Sequence, residues 1–434
     1  MIDIETNEAT VSSPKMLSRL RRYWRKKFGR SDPVTVNNDV LEMIFSKLDL
    51  ENRMRMSLVS HQTLNVIQSM PLIIPFLMFR NDNRGNYEIF SDNLELLAGY
   101  VLDECPGFRV CGEDKIVFNE RMAHIVMARL LERISGVSQL WLETSTNGLI
   151  AQNIVDFYYI INKKGTTRRF HIDQLTVIGK TTREGDFESL AALILLSRPT
   201  LEAIRLSHTR VSSETDALCL WTAIGQCISL KQLQYEPCRI DAWSRDHIVQ
   251  ALKGKSLQSL IMTGVKELSI DDVIKLTKKG TLQELAVVSD QIDVKSYTSS
   301  KAKKLVSTLN SLLVQLDNSF SIECESVRRS LLQTMKTLPD NGCLEIIQIT
   351  QGSVADITRG LSYWLRLSRD ANRIIKLKLE DCSQERQDAA VGRLMRKSRE
   401  SNKVEWGARG LTLSCGNEGR VVLLDKQTWF GYED

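Results

Sequence analysis

Histidine and cysteine are the residues of this chain best suited to chemistry, because they bind metals, transfer protons or act as nucleophiles. The five histidines stand at positions 61, 124, 171, 208 and 247, and none has a metal-ligating residue four positions later. The sequence contains no GxxxxGK[ST], GxGxxG, HExxH or GxSxG motif. We therefore expect a non-catalytic protein that needs no metal and no other cofactor.

The nine cysteines form no CxxC pair and follow no disulfide-like spacing. Cys219, Cys227 and Cys343 lie within apolar patterns, where cysteine behaves as a small hydrophobic residue. No apolar run is long enough for a secretory signal or a membrane span, for which roughly 20 apolar residues are needed. We expect reduced thiols and a cytoplasmic or nuclear protein.

Charge is concentrated near the N-terminus. The net charge is +5, and residues 15–30 ("KMLSRLRRYWRKKFGR") contain eight basic residues and no acidic one. Residues 1–14 have no apolar pattern, so residues 1–30 are predicted to be a disordered tail followed by a basic amphipathic segment. Three roles remain open for that segment: contact with an anionic membrane, a nuclear-import or nucleic-acid patch, or packing on the rest of the protein.

The stretch "NNDVLEMIFSKLDLENRMRMSLVSHQTLNVI", residues 37–67, has apolar residues at helical spacing in three short runs. Asn37 or Asn38, Asp49 and Ser60 can each cap one of the three predicted helices by accepting backbone N–H groups. Three helices of this size bury too little apolar surface to be stable alone. We therefore expect the stretch to pack against another surface.

This stretch resembles the F-box motif. Asp39, the pair Val40-Leu41, the run "IFS" at 44–46, the pair Leu48-Asp49 and the pair Val59-Ser60 follow the family pattern as they stand. Val36-Asn37 and Thr63 depart from it, since the family usually has leucine–proline and an aromatic residue at these places.

The resemblance implies a three-helix F-box over residues 33–80 that docks on the Skp-family adaptor of a cullin–RING ubiquitin ligase. It also implies a set of apolar adaptor-binding residues: Val36, Val40, Leu41, Ile44, Phe45, Leu48, Leu50, Met54, Leu58 and Val59.

Residues 81–135 are predicted to be a helical connector, because "NERMAHIVMARLLERISG" has a regular helical pattern. From residue 136 to 434 the pattern apolar-x-x-apolar-x-apolar returns every 25–35 residues. It begins at Val137, Ile172, Leu201, Leu230, Leu257, Leu282, Leu313, Leu344, Ile374 and Ala408.

Amphipathic helical patterns lie between most of these predicted strands, and a strand plus a helix at such a period is typical of a leucine-rich-repeat solenoid. We therefore predict an α/β fold: an N-terminal three-helix F-box followed by a leucine-rich-repeat-like strand–helix solenoid. The alternative is a non-repetitive α/β domain with a parallel sheet. Thr209, Cys238 and Cys382 are expected to bond the turn backbone after their strands.

Alternate residues of the predicted strands should lie on the concave face of the solenoid, which we expect to bind a protein substrate. The candidates for substrate binding are Trp141, Arg205, Gln234, Lys376 and Lys378, and Gln232, Glu284 and Gln348 are predicted to lie on the same face. The C-terminal "TWFGYED" is expected to cover the last repeat or to fold into the concave face.

Two functions compete at this point. The resemblance implies the substrate receptor of an SCF-type (Skp–cullin–F-box) ubiquitin ligase, with the adaptor and a protein substrate as partners and no small-molecule substrate. The alternative is a leucine-rich-repeat scaffold tethered by its basic segment to a membrane or nucleic acid. They differ in whether the apolar face at Leu41, Ile44 and Leu48 is free to bind the adaptor.

Overall fold

In the computed structural model the chain divides into two compact units, Met1–Pro71 and Leu72–Asp434. None of the described helices is both long and apolar enough to span a membrane. The structure describes residues 37–48, 52, 56, 60, 62–63, 66, 73–81, 86–92, 109–111, 115–119, 122–143, 147–163, 170–179, 186–277, 280–316, 324–349, 353–380, 382–397, 402–407, 410–415 and 419–424.

The smaller unit contains helix α1 (Asn38–Phe45), whose start is set by Asn37. The Asn37 side chain accepts a hydrogen bond from the Asp39 backbone N–H at 3.0 Å, which confirms the first predicted cap. At the third predicted cap, the Thr63 N–H donates to Ser60 Oγ at 3.1 Å. In return, the Ser60 N–H donates to Thr63 Oγ1 at 3.0 Å. Thr63 thus completes a reciprocal cap that an aromatic residue could not form.

The structure describes part of the interior of this unit. Phe45 and Val66 are buried, and Leu41, Leu48 and Met56 pack against them. The described residues beyond α1 that are helical are Asn52, Met56, Gln62, Thr63 and Val66. The prediction of three complete helices extends into residues that the structure does not describe, and it stays a prediction.

The larger unit is built on one sheet of 16 described strands. In chain order these are β1 (Ile73–Asn81), β2 (Asn86–Phe90), β3 (Arg109–Cys111), β4 (Lys115–Asn119), β5 (Gly136–Glu143), β6 (His171–Ile178), β7 (Ala203–Thr209), β8 (Gln232–Pro237), β9 (Ser259–Thr263), β10 (Glu284–Val288), β11 (Ser311–Leu316), β12 (Cys343–Ile349), β13 (Ile374–Glu380), β14 (Asn402–Gly407), β15 (Gly410–Cys415) and β16 (Gly419–Leu424).

Helices connect most of the parallel strands. They are α2 (Ala123–Arg133), α3 (Asn147–Lys163), α4 (Asp186–Ser197), α5 (Glu214–Gly225), α6 (Arg245–Leu252), α7 (Ile270–Leu276), α8 (Ser300–Val306), α9 (Glu325–Thr337), α10 (Val354–Ala371) and α11 (Gln384–Lys397), with a 3₁₀ helix at Val294–Thr298. The helices α4 to α11 lie where the helical patterns predict them, whereas α3 was not predicted.

The strands run across the sheet in the order β14-β15-β16-β13-β12-β11-β10-β9-β8-β7-β6-β5-β1-β2-β4-β3. From β5 to β13 every strand pairs in parallel with its neighbour in the chain. The loop before each of several strands adds one more backbone bond: the Gln283 N–H donates to Gln258 O at 2.8 Å, and the Asn310 N–H donates to Gln283 O at 2.7 Å. This sequential order supports the predicted strand–helix repeat and is consistent with a solenoid-like array.

One continuous core lies between the sheet and the helices. It contains inward side chains of α2 to α11 together with alternate residues of the strands, such as Leu233 and Tyr235 of β8. The strand residues between them lie on the opposite side of the sheet, which we call the far face. Gln232, Gln234 and Glu236 of β8 occupy the far face because side chains alternate along a strand.

The apolar pattern locates the strands, but several of its assignments need correction. Ser311 of β11 pairs with Glu284, and the loop bond at Asn310 matches the one at Gln283. The repeat therefore begins at Leu309, four residues before the predicted Leu313. Ser311 pairs with Cys343, and Leu344 pairs with Ile375, so the predicted starts Leu344 and Ile374 are three and two residues late. The strand predicted from Ala408 is β15, which is antiparallel to both of its neighbours, whereas β16 continues the parallel array beside β13.

The predicted domain boundaries also change. Strand β1 pairs in parallel with β5, so residues 73–80, which the sequence places in the F-box range 33–80, form a strand of the sheet. The predicted helical connector, residues 81–135, contributes the antiparallel strands β2, β4 and β3 and a single described helix, α2. Pro75 makes β1 difficult to predict from the sequence, since proline is rare inside central strands. Here Pro75 precedes Met78, where the pairing of β1 with β2 begins.

A buried carboxylate fixes the start of α7. Asp272 is 2% exposed, and it forms a reciprocal cap with Ser269. Its Oδ2 atom also accepts a hydrogen bond from Arg245 of the preceding repeat at 2.9 Å. Burial by itself would raise the pKa of Asp272, but the hydrogen bonds from Ser269, Arg245 and Lys275 outweigh it and lower the pKa to about 2.

The variant Asp272→Asn should therefore lower the free energy of unfolding of the larger unit by about 2 kcal/mol at neutral pH. Because the pKa is lower in the folded state, this stabilisation is complete above about pH 4 and disappears as the pH falls towards 2. Urea titrations of both proteins at several pH values measure the difference.

The matched control is Asp356→Asn, because Asp356 forms the same reciprocal cap with Ser353 at the start of α10. The Asp356 side chain is 53% exposed, so its charge is screened by water and the variant should shift the urea midpoint much less. Equal shifts for the two variants at neutral pH would contradict a special role for Asp272.

Candidate protein-binding surfaces

Helix α1 carries apolar side chains on two sides. Leu41, Phe45 and Leu48 point into the small unit. On the other side, Val40, Met43 and Ile44 are 40%, 63% and 49% exposed. Residues three and four positions apart share one face of a helix, so these three form a single exposed apolar surface, which we call the α1 surface. An exposed apolar surface of this kind is a candidate site of protein contact.

The predicted adaptor-binding residues therefore separate into groups. Val40 and Ile44 lie on the α1 surface, and Met43, which the sequence analysis omitted, lies with them. Phe45 is fully buried against Val66, so it belongs to the interior of the small unit and not to its binding surface. Leu41 and Leu48 are half-buried beside it. Val36, Leu50, Met54, Leu58 and Val59 lie outside the described residues.

A groove of about 730 Å³ crosses the far face of the larger unit from β1 to β10. Its lining includes three of the five predicted substrate-binding residues: Trp141, Arg205 and Gln234. Gln232 and Glu284, predicted for the same face, also line it. Because parallel pairing places Trp141 beside Thr176, Thr176 beside Arg205 and Arg205 beside Gln234, residues from four repeats form one row.

An aromatic pair lies at the β1 end of the groove. Phe76 and Trp141 meet edge to face with their ring centroids 5.6 Å apart, and both side chains are half-exposed. Phe76 belongs to β1, so the sequence analysis, which assigned residues 33–80 to the F-box, did not find it. Half-exposed aromatic rings in a groove are common anchors for a protein ligand.

Arg205 lies near the middle of the groove and is linked to a carboxylate. Its Nε donates to Ser207 Oγ at 3.2 Å, and Ser207 Oγ donates to Glu236 Oε2 at 3.2 Å. The positive charge of Arg205 is therefore held beside the negative charge of Glu236. Among the described residues that line the groove, Arg205 is the only cation, whereas Asp92 and Glu284 are anions.

Lys376 and Lys378 lie on the far face of β13, which is outside the groove. Lys376 Nζ donates to Glu345 Oε1 at 2.6 Å. Burial would lower the pKa of Lys376, but the hydrogen bond and charge of Glu345 outweigh it and raise the pKa. Lys378 Nζ lies 3.6 Å from Glu380. Both lysines are thus engaged within the sheet, and the structure does not bring them to the other predicted substrate residues.

Gln348, predicted for the concave face, lies on the core side of β12. Its side chain is 9% exposed, and Oε1 accepts a hydrogen bond from Trp364 Nε1 of α10 at 2.9 Å. Gln348 lies on this side because side chains alternate along a strand, and Leu344 and Ile346 of β12 also point to the core. Gln348 therefore binds a helix of its own repeat.

The predicted turn-bonding side chains differ from one another. Thr209 ends β7, and its buried hydroxyl has no hydrogen-bond partner among the described residues. Cys238 is exposed, and its backbone N–H donates to Thr209 O at 2.9 Å. Of these three side chains, Cys382 alone bonds the turn backbone as predicted, because its buried thiol donates to the Ser383 carbonyl at 3.7 Å. The basic segment 15–30 and the terminal "TWFGYED" lie outside the described residues.

Comparison with known families identifies one domain. Residues 36–75 match the F-box domain family. No curated protein matches the chain. This match supports the interpretation of the chain as an F-box protein. Because F-box domains generally bind Skp-family adaptors within cullin–RING ligases, it also indicates an adaptor-binding role in SCF-type ligases. The match covers α1 and therefore includes the whole α1 surface.

Proposed function

We propose that this chain is the substrate-recognition subunit of an SCF-type ubiquitin ligase. Its F-box docks on the Skp-family adaptor, and its leucine-rich-repeat-like unit holds a protein substrate for ubiquitination and degradation. The chain itself does no chemistry in this proposal. It raises the effective concentration of the substrate near the charged ubiquitin-conjugating enzyme, which other subunits supply.

The observation that carries the adaptor half of the proposal is the α1 surface. It lies inside the F-box match, and its three side chains have large exposed fractions. Burying such side chains stabilises a complex by roughly 25 cal/mol for each Å² of apolar area removed from water. The α1 surface is therefore the part of the described F-box that we assign to the adaptor.

The substrate half of the proposal rests on the groove. The repeats bring Trp141, Arg205 and Gln234 together on the far face, within a space of about 730 Å³. Strands are rigid supports for a binding surface because each is hydrogen-bonded on both sides. We assign the substrate to this groove and not to Lys376 and Lys378, whose charges are paired with Glu345 and Glu380.

Co-purification tests the proposal. The full-length chain, expressed together with a Skp-family adaptor, should elute with it as a complex of equal stoichiometry. The reconstituted complex should then bind a cullin–RING core. A well-folded chain that captures no adaptor would overturn the ligase assignment and leave a non-ligase repeat scaffold.

A further inference from the structure

Three glutamines form a row across the groove. Gln139 of β5 lies directly beside Gln174 of β6, and Gln174 pairs with Ala203, which pairs with Gln232 of β8. All three glutamine side chains are exposed. Because neighbouring strands are about 4.8 Å apart, the row runs perpendicular to the strands and spans about 14 Å.

Carboxamides are well matched to a polypeptide main chain. Each glutamine side chain carries two N–H donors and a carbonyl acceptor, and each peptide group likewise carries one donor and one acceptor. The row can therefore bond an extended chain that lies along it, whatever the side chains of that chain. Glutamine has no charge, so the row does not itself select for ionic groups.

The two ends of the groove differ in chemistry. At one end Phe76 and Trp141 present half-exposed rings, and at the other end Glu284 follows Gln232 and Ser259 in the row. From β5 to β10 there are five strand spacings, or about 24 Å, which an extended chain covers in about seven residues. The ends thus suit an apolar side chain and a basic side chain that are about seven residues apart.

The charges of the groove disfavour a phosphate group. Proteins that bind phosphorylated segments generally use clusters of arginine or lysine. Among the described residues of the lining there are one cation, Arg205, linked through Ser207 to Glu236, and two anions, Asp92 and Glu284. The electrostatic balance favours a neutral or basic segment.

We propose that the groove binds an extended, unphosphorylated segment of a protein, about seven residues long, with its main chain along the glutamine row. An apolar side chain of the segment packs on Phe76 and Trp141, and a lysine or arginine of the segment pairs with Glu284. That this segment belongs to a ubiquitination substrate rests on the proposed function, whereas the binding itself does not depend on it.

Selection from a phage library of random, unphosphorylated 12-residue peptides against the full-length chain tests the proposal. Enriched sequences should contain an apolar residue and a lysine or arginine about seven positions apart. In fluorescence-polarisation titrations of the synthesised peptides, Gln174→Leu and Gln232→Leu should each weaken binding by about tenfold, since each removes about two hydrogen bonds. Glu284→Gln should weaken only the peptides that carry the basic residue.

The matched control is Gln333→Leu on α9, because Gln333 is an exposed glutamine in the helical layer and outside the groove. It should leave the peptide affinity unchanged. Failure to enrich any common pattern, equal affinity for wild type and both groove variants, or tighter binding of a phosphoserine version of the selected peptides would each overturn the proposal.

Adaptor capture separates this proposal from the proposed function. Gln174→Leu and Gln232→Leu should capture the Skp-family adaptor as wild type does. Wild-type capture of the adaptor without a selectable peptide would refute the groove assignment only. Peptide binding by a chain that captures no adaptor would refute the ligase assignment only.

Discussion

A chain that carries both Met43→Asp and Ile44→Asp should lose the Skp-family adaptor, with its affinity reduced by about 100-fold or more. Met43 and Ile44 are 63% and 49% exposed on α1, so neither contributes much to the interior of the small unit. In a complex each carboxylate would be buried in an apolar interface without a partner, which costs several kcal/mol. Pull-down followed by calorimetric titration measures the loss.

The matched control makes the same chemical change elsewhere. Ile228 and Ile240 of the larger unit are 82% and 75% exposed. A chain with Ile228→Asp and Ile240→Asp should therefore bind the adaptor as wild type does. Unchanged capture by the α1 variant would show that the adaptor binds a different part of the F-box.

Phe45→Ala gives a second comparison. Phe45 is fully buried against Val66, so this variant should weaken adaptor capture only as far as it unfolds the small unit. Loss of capture with the loss of helical circular dichroism is the expected pattern for Phe45→Ala. For the Met43 and Ile44 variant, the dichroism should stay near that of wild type.

The variant Asp241→Ala should destabilise the larger unit by about 3 to 5 kcal/mol, because it leaves several donors without their acceptor. Asp241 is 2% exposed. It accepts hydrogen bonds from the Tyr235 hydroxyl, from the Trp243 N–H at 2.8 Å and from the Ser244 N–H at 3.1 Å. Thermal or urea unfolding measures the change, and Asp246→Ala at a side chain that is 86% exposed is the matched control.

Tyr235 tests the mechanism of this loss. Burial and the neighbouring Asp241 raise the pKa of Tyr235 well above its usual value, so its hydroxyl remains a donor. Tyr235→Phe removes that donor, and the double variant Tyr235→Phe with Asp241→Ala should be more stable than the sum of the two single changes predicts. Additive losses would show that the Tyr235–Asp241 bond contributes little.

The small unit illustrates what local patterns predict well. Asn37 caps α1 and Ser60 caps the helical turn that contains Thr63, as their positions before apolar runs indicate. A cap depends on residues only two or three positions apart, so the sequence contains all the information it needs. Local patterns do not show which apolar residues of α1 point inward. Phe45 and Ile44 are adjacent, and only the packing of Phe45 against Val66 distinguishes them.

The strands show the limit of the apolar pattern. In β8 polar and apolar residues alternate clearly enough to locate the strand. In β11 and β12 apolar residues occur on both faces: Leu313 and Ile347 form a small far-face cluster with Ile261 and Ala286. Where polar and apolar residues do not alternate, the apolar pattern fits the strand equally well after a shift of register. For this reason the apolar pattern predicts Leu313 as the start of a repeat and places Gln348 on the wrong face.

The F-box, the strand–helix alternation and most helix positions can be predicted from the sequence, because they follow from short-range spacing of apolar and capping residues. Three features became visible only in the folded chain: β1 joins the sheet, the array ends in antiparallel strands, and Trp141, Arg205 and Gln234 share one groove. These features depend on pairing between residues that are far apart in the chain. Only the register of the assembled sheet brings them together.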